Sequence, residues 1–279
     1  MIVVIIIASA IVAAALASAI ICSLSINTTE YTVQLEGICG ASKIVCISDL
    51  HGWEYGRENN KLIKLIAEQK PDAIIIAGDI ITRRASEKQI VRILEFLKKL
   101  TGVSQVFFAT GNHEADYMAE NGMDLLDRMS KTGAIVLYDR AEQSKIAGNA
   151  IKIGAVSGRY FDGSARDKVS LKVFEEIGES GIPSIAVVHQ PENILQQEKR
   201  TAWTADLYLS GHTHGGVWRV PGIGGVLAPS QGLFPEYDKG RFLIDGRIPL
   251  IINAGLSGYY FIPRVFNKPE ICVIRLVPN

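Results

Sequence analysis

Every histidine in this chain stands at or just past the end of an apolar, strand-like run, and that placement constrains the fold more than any other feature. Ile74-Ile75-Ile76-Ala77 stops at Gly78-Asp79. Lys43–Ser48 delivers Asp49-Leu50-His51, and Gln105–Thr110 leads into Gly111-Asn112-His113-Glu114. Further on, Ser184–Val188 ends in His189-Gln190-Pro191, and Leu207–Ser210 in Gly211-His212-Thr213-His214-Gly215-Gly216. Short Ile- and Val-rich runs bounded by glycine or proline read as strands buried on both faces. The polar residues therefore sit at the carboxyl ends of strands, the edge where open α/β sheets keep their ligands because the loops there diverge.

Between the first three runs the apolar period changes to that of helices, over Asn60–Gln69 and from about Glu87 to Leu100. Strand, helix, strand, helix, strand argues for βαβ units and a partly parallel sheet. A further helix is expected near Asp124–Lys131. Short strands follow at Ala134–Tyr138 and Ala150–Val156, then a hairpin turning at Asp245-Gly246 between Arg241–Ile244 and Pro249–Ile252, and a last strand at Ile271–Leu276. No Pro/Gly/Ser linker divides residues 43–279, so they are read as one domain, and with nearly half of the 279 residues apolar a substantial core can form.

Ile2–Leu24 carries no charge and is long enough to cross a bilayer, so residues 1–24 are read as a transmembrane anchor and residues 25–42 as a tether plus a first strand. A cleaved signal peptide is the closest competitor, with Ala17-Ser18-Ala19 as its small-residue site. Against it, no basic segment precedes the run, and the run exceeds the usual apolar stretch of about 7–15 residues. The expectation is a single-pass cell-membrane protein. Its first basic residue after the helix is Lys43, which leaves orientation to a preference for an extracytoplasmic domain. Twenty-nine basic residues balance twenty-nine acidic ones, which argues against nucleic-acid binding by charge. Cys22, Cys39, Cys46 and Cys272 form no C-x-x-C pair and read as apolar fillers, with a Cys39–Cys272 disulfide conceivable only in an oxidising compartment.

A single histidine is more often structural than functional, but five in the same kind of position favour metal or catalytic use. Asp49 and His51 at i and i+2 face one way on a strand end, and His212 and His214 repeat that spacing between glycines that let the backbone turn. The carboxylate of Asp79 has two oxygens and can hold two cations at once. A nitrogen and oxygen donor set without thiolates suits manganese, iron or zinc better than calcium, and argues against a structural zinc site.

Asp49-x-His51, Gly78-Asp79, Gly111-Asn112-His113-Glu114, His189 and Gly211-His212-x-His214, in that order over residues 43–255, resemble the calcineurin-like metallophosphoesterase family. The Gly-His-Thr-His-Gly-Gly form, the N-terminal helix and Ile251-Ile252-Asn253-Ala254-Gly255 are similar to its membrane-anchored, YkuE-like bacterial branch. The resemblance implies a four-layer α/β/β/α sandwich of two mixed sheets. It implies one metal on Asp49, His51, Asp79 and His214, and a second on Asp79, Asn112, His189 and His212. Two divalent ions (Mn2+, Fe2+/3+ or Zn2+) would clamp a phosphoryl group for in-line attack by a bridging hydroxide. His113 is then the catalytic residue that protonates the leaving oxygen or stabilises phosphoryl charge. The function expected is a phosphodiesterase or pyrophosphatase acting at the membrane, with a lipid-linked or UDP-diacylglucosamine-type substrate as the resemblance suggests.

Other readings stay open. A phosphomonoesterase or protein phosphatase would use the same metal core. A non-catalytic membrane scaffold would be expected to lose histidines that this chain keeps, and a nuclease would be expected to show a basic track. Glu114 and Asp116 either orient His113 or are solvated acids in a helix's first turn. Arg83 and Arg84 either grip a distal phosphate or start a helix in solvent. Trp53, Tyr55, Trp218, Phe234, Tyr237 and Tyr259-Tyr260-Phe261 either wall a lipid or nucleoside site or pack in the core. Substrate-binding residues are not specified by any motif.

Overall fold

A computed structural model of the chain describes residues 1–158, 165–178, 181–195, 204–259 and 262–279. It begins with helix α1 (Ile2–Leu24), followed after two residues by strand β1 (Asn27–Leu35). Next come β2 (Ser42–Ile47), α2 (Asn60–Glu68), β3 (Ala73–Ala77), α3 (Glu87–Thr101), β4 (Gln105–Ala109), α4 (Asn112–Asn121), α5 (Asp124–Ser130) and β5 (Ile135–Leu137). The second half holds β6 (Arg140–Ile146), β7 (Asn149–Ala155), α6 (Ala165–Gly178), β8 (Ser184–Val187), α7 (Glu192–Leu195) and β9 (Leu207–Ser210). Two small hairpins follow, β10 (Arg219–Val220) with β11 (Gly224–Gly225) and β12 (Leu227–Ala228) with β13 (Gly232–Leu233). The chain closes with β14 (Gly240–Ile244), β15 (Ile248–Ile252) and β16 (Glu270–Pro278).

The strands form two six-stranded mixed sheets, ordered β1-β16-β2-β3-β4-β5 and β14-β15-β9-β8-β7-β6. Strands β2 to β5 run parallel, as the βαβ pattern requires, and β16 enters antiparallel beside β2. Alternation along each strand sorts its side chains into layers. Ile44 and Cys46 of β2 and Ile75 of β3 face Ile151, Ile153, Ile185 and Leu209 of the second sheet, while Val45, Ile47, Ile74 and Ile76 face Leu62, Ile66, Ile93 and Leu97 of the helices. Val173, Phe174 and Ile177 of α6 cover the far face of the second sheet with Ala186, Tyr208 and Ile252. The result is the four-layer α/β/β/α sandwich. Each fully buried Ile, Leu or Phe contributes about 1.5–3 kcal/mol to it.

Several elements differ from their sequence readings, and helix α7 and the two small hairpins have no counterpart there. The expected tether is two residues long, because β1 starts at Asn27 and pairs along its whole length with β16. Strand β6, Arg-Ala-Glu-Gln-Ser-Lys-Ile, is polar and lies at a sheet edge, where one row of backbone groups and most side chains meet water, so it carries no apolar signature. Helix α6 likewise has no counterpart in the sequence reading. The four cysteines are all free, Cys39 exposed and Cys272 buried, so the conceivable disulfide is not formed.

Candidate metal centre

Strands β2, β3, β4, β8 and β9 end together at one edge, and backbone hydrogen bonds between their loops lock the ends into a cluster. Asp49 N donates to Gly78 O at 3.0 Å, Gly211 N to His189 O at 3.0 Å, and His212 N to both Asp49 carboxylate oxygens at 3.1 Å. Below them Asn253, fully buried, accepts from Ser48 Oγ and Gly255 N and donates to Cys46 O, tying both sheets under Asp49. Glycine is required where the carboxylates need room: a Cβ on Gly111 would lie 2.1 Å from Asp79 Oδ1.

Among the described residues, three interlocking groups of donor atoms result, each within 4.8 Å internally: Asp49, His51 and His214; His51, Asp79 and His113; and Asp79, His189 and His212. His51 Nε2 stands 3.8 Å from both Asp49 Oδ1 and Asp79 Oδ2, and His214 Nε2 is 3.8 Å from Asp49 Oδ1. His189 Nε2 is 3.1 Å from Asp79 Oδ2 and 3.9 Å from Asp49 Oδ1. The first and third groups thus bring together six of the seven residues assigned to metals from the resemblance, counting Asp79 once. The seventh, Asn112, opens α4 and has Oδ1 3.4 Å from Gln190 Nε2, beside His189.

These residues fit metal ions on three observations. Two donors each about 2.1 Å from one ion stand no more than about 4.2 Å apart, and the 3.8 Å separations of His51 from Asp49 and Asp79 and of His214 from Asp49 are too wide for hydrogen bonds yet inside that limit. Among the described residues, His51 Nε2 and His189 Nε2 are buried without a hydrogen-bond partner; the 3.1 Å approach of His189 to Asp79 lacks hydrogen-bond alignment. Asp49, His51, Asp79, His212 and His214 all have left-handed φ, between 46° and 69°, which costs a residue with a Cβ about 1–2 kcal/mol each and concentrates at working sites.

The electrostatics agree. Burial pushes His51 down to about 4 and His212 to about 3, and holds His214 well below the ordinary range, so all three rings are neutral at pH 7, the form that ligates metal. Burial raises Asp49 to about 6, and it would raise Asp79 too, but His189 outweighs it and holds Asp79 far below the carboxylate range. Burial opposes charge on His189, yet Asp79 and Asp49 push it up to about 10. Two buried carboxylates thus draw a positive charge to His189 Nε2, a place for which a divalent ion competes.

His113 lies at the rim, its ring 4.4 Å from that of His51 and its Nε2 3.9 Å from Asp79 Oδ2. Its Nδ1 accepts the backbone N–H of Arg83 at 3.0 Å, which places the proton of the neutral ring on Nε2. Glu114 does not orient that ring, nor is it solvated. It is fully buried, and its carboxylate accepts N–H bonds from Asp79 at 2.8 Å, Gly111 at 2.7 Å and Ile81 at 3.1 Å, clamping the loops after β3 and β4 together. Asp116 is 3.9 Å from Arg83 Nη1 at the surface. Arg264 belongs to no motif, though it is a lone basic residue in an apolar stretch; it is buried and donates to the carbonyls of Ser257, Ala254 and His214, holding the loop under His214.

A cavity of about 730 Å³ opens from His51, His113 and His214. Arg83 and Arg84 line it, Trp53, Tyr55, Tyr259 and Ile262 give it apolar walls, and Cys22 and Ser23 of α1 reach it. Of the aromatic residues singled out above, Tyr55 is buried, with its hydroxyl donating to Leu256 O, whereas Trp53, Trp218 and Phe234 are exposed. Tyr237 packs edge-on against Phe242. Tyr260 and Phe261 lie outside the described residues.

Residues 42–216 match the family model described as calcineurin-like phosphoesterase. The uncharacterized metallophosphoesterase YkuE of Bacillus subtilis is 28% identical over 258 residues, covering 90% of this chain and 85% of that protein. The phosphodiesterase YaeI of Escherichia coli is 25% identical, covering 84% of this chain and 82% of its own. The crystal structure of TT1561 from Thermus thermophilus superposes with a TM-score of 0.50 at 13% identity, over 77% of this chain and 90% of that one, a likeness of fold.

Proposed function

The chain belongs to the calcineurin-like phosphoesterase family and is a metal-dependent phosphoester hydrolase, and we propose that it cleaves phosphodiesters or pyrophosphates of membrane lipids. Asp49, His51, Asp79 and His214 would hold one ion, and Asp79, Asn112, His189 and His212 would hold a second. Metal ions such as Mn2+, Fe2+/3+ or Zn2+ would supply Lewis acidity at the phosphoryl group and acidify the attacking water.

The chain's own residues do the rest. His113, with its proton on Nε2, donates to a phosphoryl or leaving-group oxygen as negative charge grows there. Glu114 keeps Asp79 and Gly111 in register through its three N–H bonds, and Arg83 and Arg84 offer charge-assisted hydrogen bonds to a second phosphate or headgroup. The apolar walls exclude water and receive the non-reacting part of the substrate.

The observation that carries the substrate class is the continuity of this cavity with the end of α1. Helix α1 has 23 apolar or small residues, and its last turns dock on the domain: Cys22 is buried, and Ser18 Oγ accepts Phe266 N–H at 2.6 Å. We read it as a retained anchor whose domain end borders the active site. A diester is favoured over a monoester because the cavity of about 730 Å³ beside His51, His113 and His214 leaves room for a second organic group.

The test is turnover of bis-p-nitrophenyl phosphate and p-nitrophenyl phosphate by the full chain in detergent, metal-stripped and then given Mn2+, with Asp79→Asn and His113→Ala beside it. Metal-dependent diester turnover lost in both variants is the expected result. Preference for the monoester would replace the reading with a phosphatase, and failure to bind metal would replace it with a scaffold.

A further inference from the structure

The loops beside this cavity carry apolar side chains that the core does not use. Trp218, Val220, Ile223, Leu233, Phe234 and Phe266 each expose between 40% and 70% of their surface. Most of them sit on or beside the β10–β11 and β12–β13 hairpins, and the first hairpin is braced by Asp238, which accepts from Arg219 Nη1 at 2.6 Å and from Gly225 N at 2.7 Å. They are also joined to α1 through a short chain of hydrogen bonds. Ser18 takes the Phe266 N–H, Arg219 N donates to Val265 O at 2.9 Å, Val226 N to Trp218 O at 2.7 Å, and Phe234 N to Val226 O at 2.9 Å.

The position of that junction along the helix sets its depth. Ser18 precedes the end of α1 at Leu24 by six residues, about 9 Å of rise. Residues Ile2 to Ala17, the part of α1 before the docked turns, rise about 24 Å against a hydrocarbon core of about 30 Å. If α1 spans the bilayer from Ile2, the core boundary falls about 6 Å to the domain side of Ser18, so Phe266, bonded to Ser18, reaches just past that boundary and the hairpins joined to it lie around the interfacial layer. Exposed Trp and aliphatic residues are the side chains that gain from that layer.

Building on the reading of α1 as a retained anchor, we propose that this apolar rim is a membrane-docking surface, seated in the bilayer that α1 crosses, which holds the mouth of the catalytic cavity at headgroup level. A lipid phosphoester then reaches the metal centre without its acyl chains leaving the membrane. Rim and anchor bind one bilayer together, so the rim acts at the high effective concentration that tethering gives.

The experiment reconstitutes the full chain in phosphatidylcholine vesicles with Trp53→Phe and Trp203→Phe, leaving Trp218 as the sole tryptophan, and measures quenching by lipids brominated at shallow or deep acyl positions. Docking predicts a blue-shifted Trp218 emission quenched most by the shallow bromines. Emission unaffected by either lipid, or a concentration-dependent dimer that buries Trp218 instead, overturns the proposal. In parallel, the Ile223→Asp/Leu233→Asp/Phe234→Asp variant is compared with wild type on bis-p-nitrophenyl phosphate in detergent and on phosphatidyl-p-nitrophenol in vesicles. The expected result is unchanged soluble turnover with vesicle turnover reduced about tenfold or more, since three apolar contacts are replaced by charges. Equal loss on both substrates means damage to the fold and overturns the proposal. If wild type cleaves neither diester, the proposed reaction fails while quenching still decides the docking.

Discussion

Replacing Glu114 with glutamine tests whether a buried carboxylate outside the metal ligands organises the site. In the structure its Oε2 accepts from Asp79 N and Gly111 N, and its Oε1 from Ile81 N. An amide of the same shape has one oxygen, so whichever way it turns, at least one backbone N–H faces an NH2 group. Hydrogen bonds to a charged group contribute about 1.5–3 kcal/mol, and a buried unsatisfied donor costs about 1–3 kcal/mol. Burial favours protonation of Glu114 and raises its pKa to about 7, which lowers the charge-assisted share at neutral pH. The net expectation is therefore about 2–4 kcal/mol of destabilisation, a fall of roughly 5–12 °C in melting temperature for a chain of this size. Because Asp79 and Gly111 move with the clamp, Mn2+-dependent diester turnover should fall about a hundredfold. The assays are a thermal melt in detergent, with and without Mn2+, and initial rates on bis-p-nitrophenyl phosphate. Asp116→Asn, at the surface, serves as the control. A shift of about 2 °C corresponds to less than about 1 kcal/mol in a chain of this size. If Glu114→Gln melts within about 2 °C of wild type and keeps its rate, the clamp does not organise the site.

The other predictions bear on individual roles. Asp79→Asn should lose metal at both positions, read as metal per chain after gel filtration, because Asp79 is the one carboxylate proposed for both ions, with an oxygen 3.8 Å from His51 and 3.1 Å from His189. His113→Ala should keep its metal content and lose about 10²–10⁴ in kcat, separating a catalytic residue from a ligand. Gly111→Ala should abolish metal binding, since the added Cβ would press on the Asp79 carboxylate and on its backbone nitrogen, 2.7 Å away.

The loops that carry the candidate donors were legible because each signal is local. An apolar run closed by glycine and followed by Asp, Asn or His specifies a buried strand and what stands at its end, and β2, β3, β4, β8 and β9 appear within a residue or two of their expected positions. Helices α2 and α3 were legible for the same reason, their periodic stripes facing the first sheet. Glu114 was not legible. An acid three residues into a helix looks like a solvated capping residue, and only the approach of the β3 loop, 35 positions away, turns it into a buried clamp. Arg264 and Asn253 likewise draw their roles from partners on other loops.

The sequence by itself determined the ordered set of donors, the strand ends that carry them and an apolar helix long enough to cross a membrane, because residue type and period decide those within a few neighbours. Tertiary structure alone decided how the donors group around Asp79, that β1 closes the first sheet against β16, and that the end of α1 lines the cavity beside the donors. These depend on contacts such as Ser18 with Phe266, 248 residues apart. No local pattern encodes which distant surface will bury a given side chain, since that is settled only when the layers pack.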